Sequence, residues 1–191
     1  PTFMDAIEVF IIADGYLTPD FRCRWQRSIK PAGTRTTNES AREALAHIKA
    51  LYQRDRAGQT QTLPIMAYYG AGRAWIPANQ PRKAVSSKSP PRRWQAFYDC
   101  LNERIREAEL MDWYRRAIQT PAAYHQVAVV QHAIMRCLPG ATGLTYDHWR
   151  QQVIVQIGDI SQPFDNLSAG QRMMVAMVAD IAIKAVTQNP H

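Results

Sequence analysis

Leu167-Ser168-Ala169-Gly170-Gln171-Arg172 runs directly into an apolar stretch from Met173 to Thr187, and the reading of that junction decides the fold. A serine, a small residue and a glycine at a helix start form a seat for phosphate. The first-turn N–H groups have no partner within the helix, and the helix dipole favours an anion there. Gly170 lets a ligand approach the backbone, Ser168 adds a hydroxyl donor and Arg172 adds positive charge. No acidic residue enters this stretch before Asp180. The same residues also read as an ordinary serine-capped helix start, for which Gly170→Asp is expected to cost about 1 kcal/mol of stability. Ser168 as a nucleophile is a third reading, and it would need a base nearby in space.

Working outward, Ser161 to Asn166 reads as a polar loop that delivers this motif, Gly158-Asp159 as a turn and Val153 to Ile157 as a strand. In the last helix, Met173, Met177 and Ile181 share one face beside Val178, Ala182 and Ala185, which predicts a core-facing helix. Upstream, Val127, Val130, Ile134 and Leu138 line a helix that starts at Thr120-Pro121 and stops at Pro139-Gly140. Trp94, Phe97, Tyr98, Leu101, Ile105 and Ala108 follow helical spacing, continuing through Trp113, Tyr114 and Ile118. That aromatic stripe reads as core packing rather than a base-stacking platform.

The N-terminal third is strand-rich. Ala6 to Ala13 is an apolar strand, Asp14-Gly15 a turn, and Arg22 to Ile29 a second strand with Phe21, Cys23, Trp25 and Arg27 on one face. A helix follows from Asn38 to Arg56, with Gly58 as its stop, and Leu63 to Tyr69 reads as a return strand.

Leu167 to Arg172 resembles the LSxGQ signature of ABC-class ATPases, in the LSxGQR form of the SMC–RecF branch. Tyr68-Tyr69-Gly70-Ala71-Gly72-Arg73 resembles the Tyr-Tyr-Gly-x-Gly-Arg segment of AAA/ABC-type ATPases labelled "predicted ATP-binding protein involved in virulence", relatives of the Septu and retron defence ATPases. Tyr98-Asp99-Cys100-Leu101, Trp113-Tyr114, Ala179-Asp180-Ile181-Ala182 and Asn189-Pro190-His191 follow in that family's order, so the resemblance spans residues 63 to 191.

The resemblance implies an α/β fold: part of an ABC-type ATPase head, antiparallel strands plus a helix, with a helical insertion and a signature-motif helix. It implies three segments: 1–75 as strand-rich lobe I, 76–143 as basic loop and helical lid, and 144–191 as signature strand, loop and helix. Two heads would close as a homodimer around ATP and Mg2+, with Ser168, Ala169, Gly170 and Gln171 meeting the γ-phosphate in trans. Arg73 would sense the γ-phosphate, although no Q-loop glutamine accompanies it. A turn arginine held by a local carboxylate is the plainer reading of Arg73.

No GxxxxGK[ST] loop and no apolar strand ending in Asp-Glu occurs. In the family these lie upstream of Pro1 and beyond His191. The expectation is therefore an internal piece of a larger ATP hydrolase that does not turn over ATP alone.

Charge adds a second theme. Arg56, Arg73, Arg82, Lys83, Lys88, Arg92 and Arg93 lie between Asp55 and Asp99 with no acidic residue among them, and they equal the whole net charge of +7. Asn79 to Pro91 is rich in Pro, Ser, Lys and Arg and reads as a loop. Arg82, Lys83, Lys88, Arg92 and Arg93 are candidate contacts for DNA or RNA phosphates. A solvated linker is the alternative. The alternative functions are thus a nucleic-acid-binding module and a helical docking domain for a partner nuclease. Cys23, Cys100 and Cys137 are too widely spaced for a zinc framework and suit reduced, buried thiols in a cytoplasmic protein. His47, His125, His132, His148 and His191 lack metal-ligand spacing. No run of 18 apolar residues suggests a membrane span, and no leader pattern suggests secretion.

Overall fold

The computed structural model describes residues 9–29, 39–70, 92–97, 100 and 107–190. They form a mixed α/β protein with two small antiparallel sheets and four α-helices among the described residues. The chain divides into two units, Pro1–Pro64 and Ile65–His191.

In the first unit, β1 (Val9–Thr18) pairs antiparallel with β2 (Phe21–Ile29). Asp14 and Gly15, expected as a turn, lie inside β1. The reversal falls instead at Pro19-Asp20, where proline presets the first turn torsion and a register shift after Tyr16 absorbs one residue. The second strand is found where the alternation places it. Residues 6–8 of the expected first strand lie outside the described residues. A 3-10 turn, Glu39–Ala41, leads into α1 (Arg42–Arg56), and Gly58 ends the helix at a φ of +79°, which an L side chain rarely adopts. His47 of α1 stacks on Phe21 at 3.9 Å, and its Nε2 lies 3.0 Å from Thr18 Oγ1, so the helix is tied to the turn end of the hairpin.

Residues 63–69, expected as a strand, have no regular structure. A strand needs a ladder, and Pro64 supplies no N–H. Within it the Tyr68 N–H donates to the Cys100 carbonyl at 2.9 Å.

The second unit is built on α2 (Glu107–Ile118), α3 (Tyr124–Cys137) and α4 (Ala169–Gln188), with a three-stranded sheet in the order β3 (Ala141–Asp147), β4 (Gln152–Ile157), β5 (Ile160–Pro163). Pro121 opens a 3-10 turn that feeds α3, and Gly140 at φ +77° follows its end, as the Pro/Gly asymmetry predicts. Arg92–Phe97, expected to begin a helix, is a 3-10 segment; 98–99 and 101–106 lie outside the described residues. β5 replaces the first part of what read as a polar loop, and β3 forms where the sequence pattern set no element; each completes a ladder with β4.

Segments 76–143 and 144–191 contribute to a single core. Trp113 and Tyr114 of α2, Val130 and Ile134 of α3, Val153 and Val155 of β4, and Val175, Ala179 and Val186 of α4 are buried together. The Tyr114 hydroxyl donates to the Leu144 carbonyl at 3.1 Å, and Gln131 reaches both groups, which satisfies a phenol that would otherwise be stranded. The expected core face of α4 is corrected. Val175, Ala179, Ala182 and Val186 face inward, whereas Met173 and Met177 are half-buried and Ile181 is exposed. No helix among the described residues is long and apolar enough to cross a membrane.

Candidate functional site at the start of α4

The start of α4 is placed by two buried side chains. A 3-10 turn, Phe164–Asn166, buries Phe164, and Leu167 is buried beside it, its N–H bonded to the Phe164 carbonyl at 3.1 Å. The next residue, Ser168, is thereby held at the helix entry as N-cap.

Ser168 and Gln171 form a reciprocal capping box. Ser168 Oγ accepts the Gln171 N–H at 3.3 Å, and Gln171 Oε1 accepts the Ser168 N–H at 3.0 Å. The Ser-x-x-Gln spacing carries this device in the sequence, and it was the signal missed there. The Arg172 N–H closes the first helical bond to the Ser168 carbonyl at 2.9 Å. Two first-turn donors, the N–H groups of Ala169 and Gly170, then have no intrahelical acceptor. The Ser168 hydroxyl keeps its proton for donation, since only its oxygen is engaged.

Ser168, Ala169 and Gly170 are exposed, and the first turn holds no acidic residue. A Cβ built on Gly170 would meet nothing within 4 Å, and its φ is not positive. Packing and backbone strain therefore supply no reason for glycine there, although glycine costs a helix about 1 kcal/mol relative to alanine. Arg172 Nε is buried without a hydrogen-bond partner. The exposed turn presents two backbone donors and one hydroxyl donor, and it can hold an anion.

A second cluster joins two of the motifs. The Tyr69 hydroxyl donates to Asp180 Oδ2 at 2.6 Å, and Lys184 Nζ donates to the same oxygen at 2.5 Å. Burial first, then the hydrogen bond and the charge of Asp180, push the Tyr69 phenol well above its ordinary range. Such a phenol is a hydrogen-bond donor and not a base. The contact spans 111 residues and fastens the Tyr68-Tyr69-Gly70 segment to α4.

Arg73, Arg82, Lys83 and Lys88 lie outside the described residues, as does the side chain of Arg92. Arg93 Nε donates to the Gln188 carbonyl at 2.6 Å, a cation set on the C-terminal end of α4. Trp94 and Phe97 pack with ring centres 5.3 Å apart. At that same end of α4, a cavity of about 250 Å³ is lined by His125, Gln126, Val129, Ala185, Val186, Asn189 and Pro190. It is far from the first turn of α4, because a 20-residue helix is about 30 Å long. No cluster of three or more His, Cys, Asp or Glu side chains suited to a metal ion occurs among the described residues.

The chain matches no family model and no curated protein.

Proposed function

We propose that this chain is the central segment of an ABC-class ATPase head of the SMC–RecF branch, acting in anti-phage defence or DNA maintenance. In this reading two heads form a homodimer, and α4 of one head caps the γ-phosphate of the ATP held by the other. The observation that carries the proposal is the exposed first turn of α4. A capping box holds it rigid, two N–H groups stay free, and an otherwise unexplained glycine leaves the approach open.

The residues present fit a terminal phosphate. Ala169 and Gly170 offer backbone donors and Ser168 its hydroxyl proton, while Gln171 holds the turn through the capping box instead of turning its amide oxygen to the ligand. Bound ATP supplies the oxygens that bridge two heads, and Mg2+ would be held by the opposite head. Differential affinity follows: a γ-phosphate finds these donors and a diphosphate does not, so ATP favours the closed pair.

The test is complementation between heads of an intact ATPase containing this segment. One variant carries Gly170→Asp, and the other carries a disabled phosphate loop. Each is expected to be inactive alone. Mixed heads regain one undamaged composite site, so turnover is expected to recover to as much as half. Absence of recovery in a verified mixed dimer overturns the in-trans assignment.

A further inference from the structure

The β1–β2 hairpin carries a surface that the ATPase reading does not use. Residues directly opposite one another in an antiparallel pair share a face. Tyr16 faces Arg22, Asp14 faces Arg24 and Ile12 faces Gln26, with Phe10 next along the same face. Phe10, Ile12 and Tyr16 are 56%, 42% and 67% exposed, and Arg22 and Arg24 are exposed beside them. On the opposite face Phe21 stacks on His47 and Cys23 is covered. On this face Ser28, paired with Phe10 at the far end from the turn, is buried, so the open stretch runs from Ile12 and Gln26 to Tyr16 and Arg22, with the Phe10 ring exposed at its edge.

The charges on this face are unequal. Among the described residues Asp14 is its one acidic side chain, and Arg22 Nε already holds that carboxylate at 3.1 Å. The Arg22 guanidinium also sits 5.9 Å from the centre of the Tyr16 ring. Arg24 carries the unanswered positive charge, on a chain whose net charge is +7. Flat rings interleaved with guanidinium groups on an open sheet face suit a strand of unpaired bases. Bases stack on the rings and phosphates pair with the arginines. A purely apolar partner would leave Arg24 desolvated and uncompensated.

We infer that this face of the hairpin binds single-stranded nucleic acid, with Tyr16 and Phe10 as stacking platforms and Arg22 and Arg24 as phosphate contacts. This site is separate from the basic segment Arg82 to Arg93, and it stands whether or not the ATPase reading does.

The probe is a fluorescein-labelled 20-nucleotide oligothymidine, titrated with the 191-residue chain and followed by anisotropy at several salt concentrations. Tyr16→Ala is expected to weaken binding at least about five-fold, since one stacked base is worth about 1–3 kcal/mol. The double change Arg22→Gln with Arg24→Gln should flatten the log K against log[salt] slope by about 1.4. A duplex of the same length should compete poorly, because its bases are not free to stack. Circular dichroism checks that each variant folds, and these side chains are exposed, so folding should survive. Three results overturn the inference: no binding at low salt, equal competition by duplex, or binding lost only when Arg82, Lys83, Arg92 and Arg93 are replaced. Concentration-dependent self-association that Tyr16→Ala abolishes, without oligothymidine binding, would assign the face to a second protein copy and likewise overturn it.

Discussion

Gly170→Asp separates the two readings of the α4 start because the structure predicts opposite signs for stability and function. A side chain at this position meets nothing within 4 Å, and the backbone is not in the left-handed region, so neither clash nor strain opposes the change. Replacing glycine within a helix recovers a few tenths of a kcal/mol in propensity. A carboxylate in the first turn adds about 0.3–1 kcal/mol through the dipole, and no other acid is present there to repel it. Together the fold should gain about 0.5–1 kcal/mol, which corrects the loss of about 1 kcal/mol expected from sequence for an ordinary helix start. The same carboxylate lies over the free N–H groups of Ala169 and Gly170 and repels an incoming phosphate. Losing two phosphate contacts and adding repulsion costs at least about 3 kcal/mol in head closure, or roughly a hundred-fold in turnover. Urea denaturation of the 191-residue chain reads the first quantity. ATP-dependent dimerisation and turnover of the intact ATPase read the second, with nucleotide affinity of the monomer as control. A stabilised variant with normal turnover would refute the phosphate seat. A destabilised variant would refute the structural account of Gly170.

Further outcomes are expected. Ser168→Ala removes the acceptor for the Gln171 N–H and should cost about 1 kcal/mol in a denaturation experiment. Tyr69→Phe deletes one of the two donors to Asp180 and should cost about 1 kcal/mol, whereas Asp180→Ala, which strands both Tyr69 and Lys184, should cost more, about 2–3 kcal/mol. Tyr69 and Tyr114 both have phenol groups raised above the ordinary value of 10.0. Above that pH the unfolded chain gives up these protons while the folded chain keeps them, so stability is intact below about pH 10 and falls as pH rises further. Spectrophotometric titration should show phenol ionisation continuing well above pH 10, and Tyr69→Phe should remove part of that late phase. The 191-residue chain alone should show no ATP turnover, and sustained hydrolysis abolished by Ser168→Ala would contradict the one-wall site.

Some of this was legible in the chain because it is local. Alternation in Arg22 to Ile29 specified a strand, Pro121 and Gly140 bracketed a helix, and Ser168 with Gln171 three residues later encodes a capping box wherever a helix begins. Other features depend on partners that are distant in sequence. Ala141–Asp147 has strand-favouring Thr142, Thr145 and Tyr146, but Gly143 interrupts so short a run, and pairing with β4 makes it a strand. Leu63 to Tyr69 has strand-like residues but no neighbouring ladder, and it stays irregular. In α4, apolar residues surround the helix, so periodicity could not choose between the Met173 face and the Val175 face. Packing against α3 chose the latter, where Ala179 and Ala182 let the helices come close. The Tyr69–Asp180 bond joins residues 111 apart, and no short-range pattern encodes it. Sequence alone determined where backbone donors would be left free at the start of α4, because capping is a matter of four adjacent residues. Only the tertiary structure decided which face of that helix is covered and what holds Tyr69 against it, because burial is a property of what comes to lie alongside.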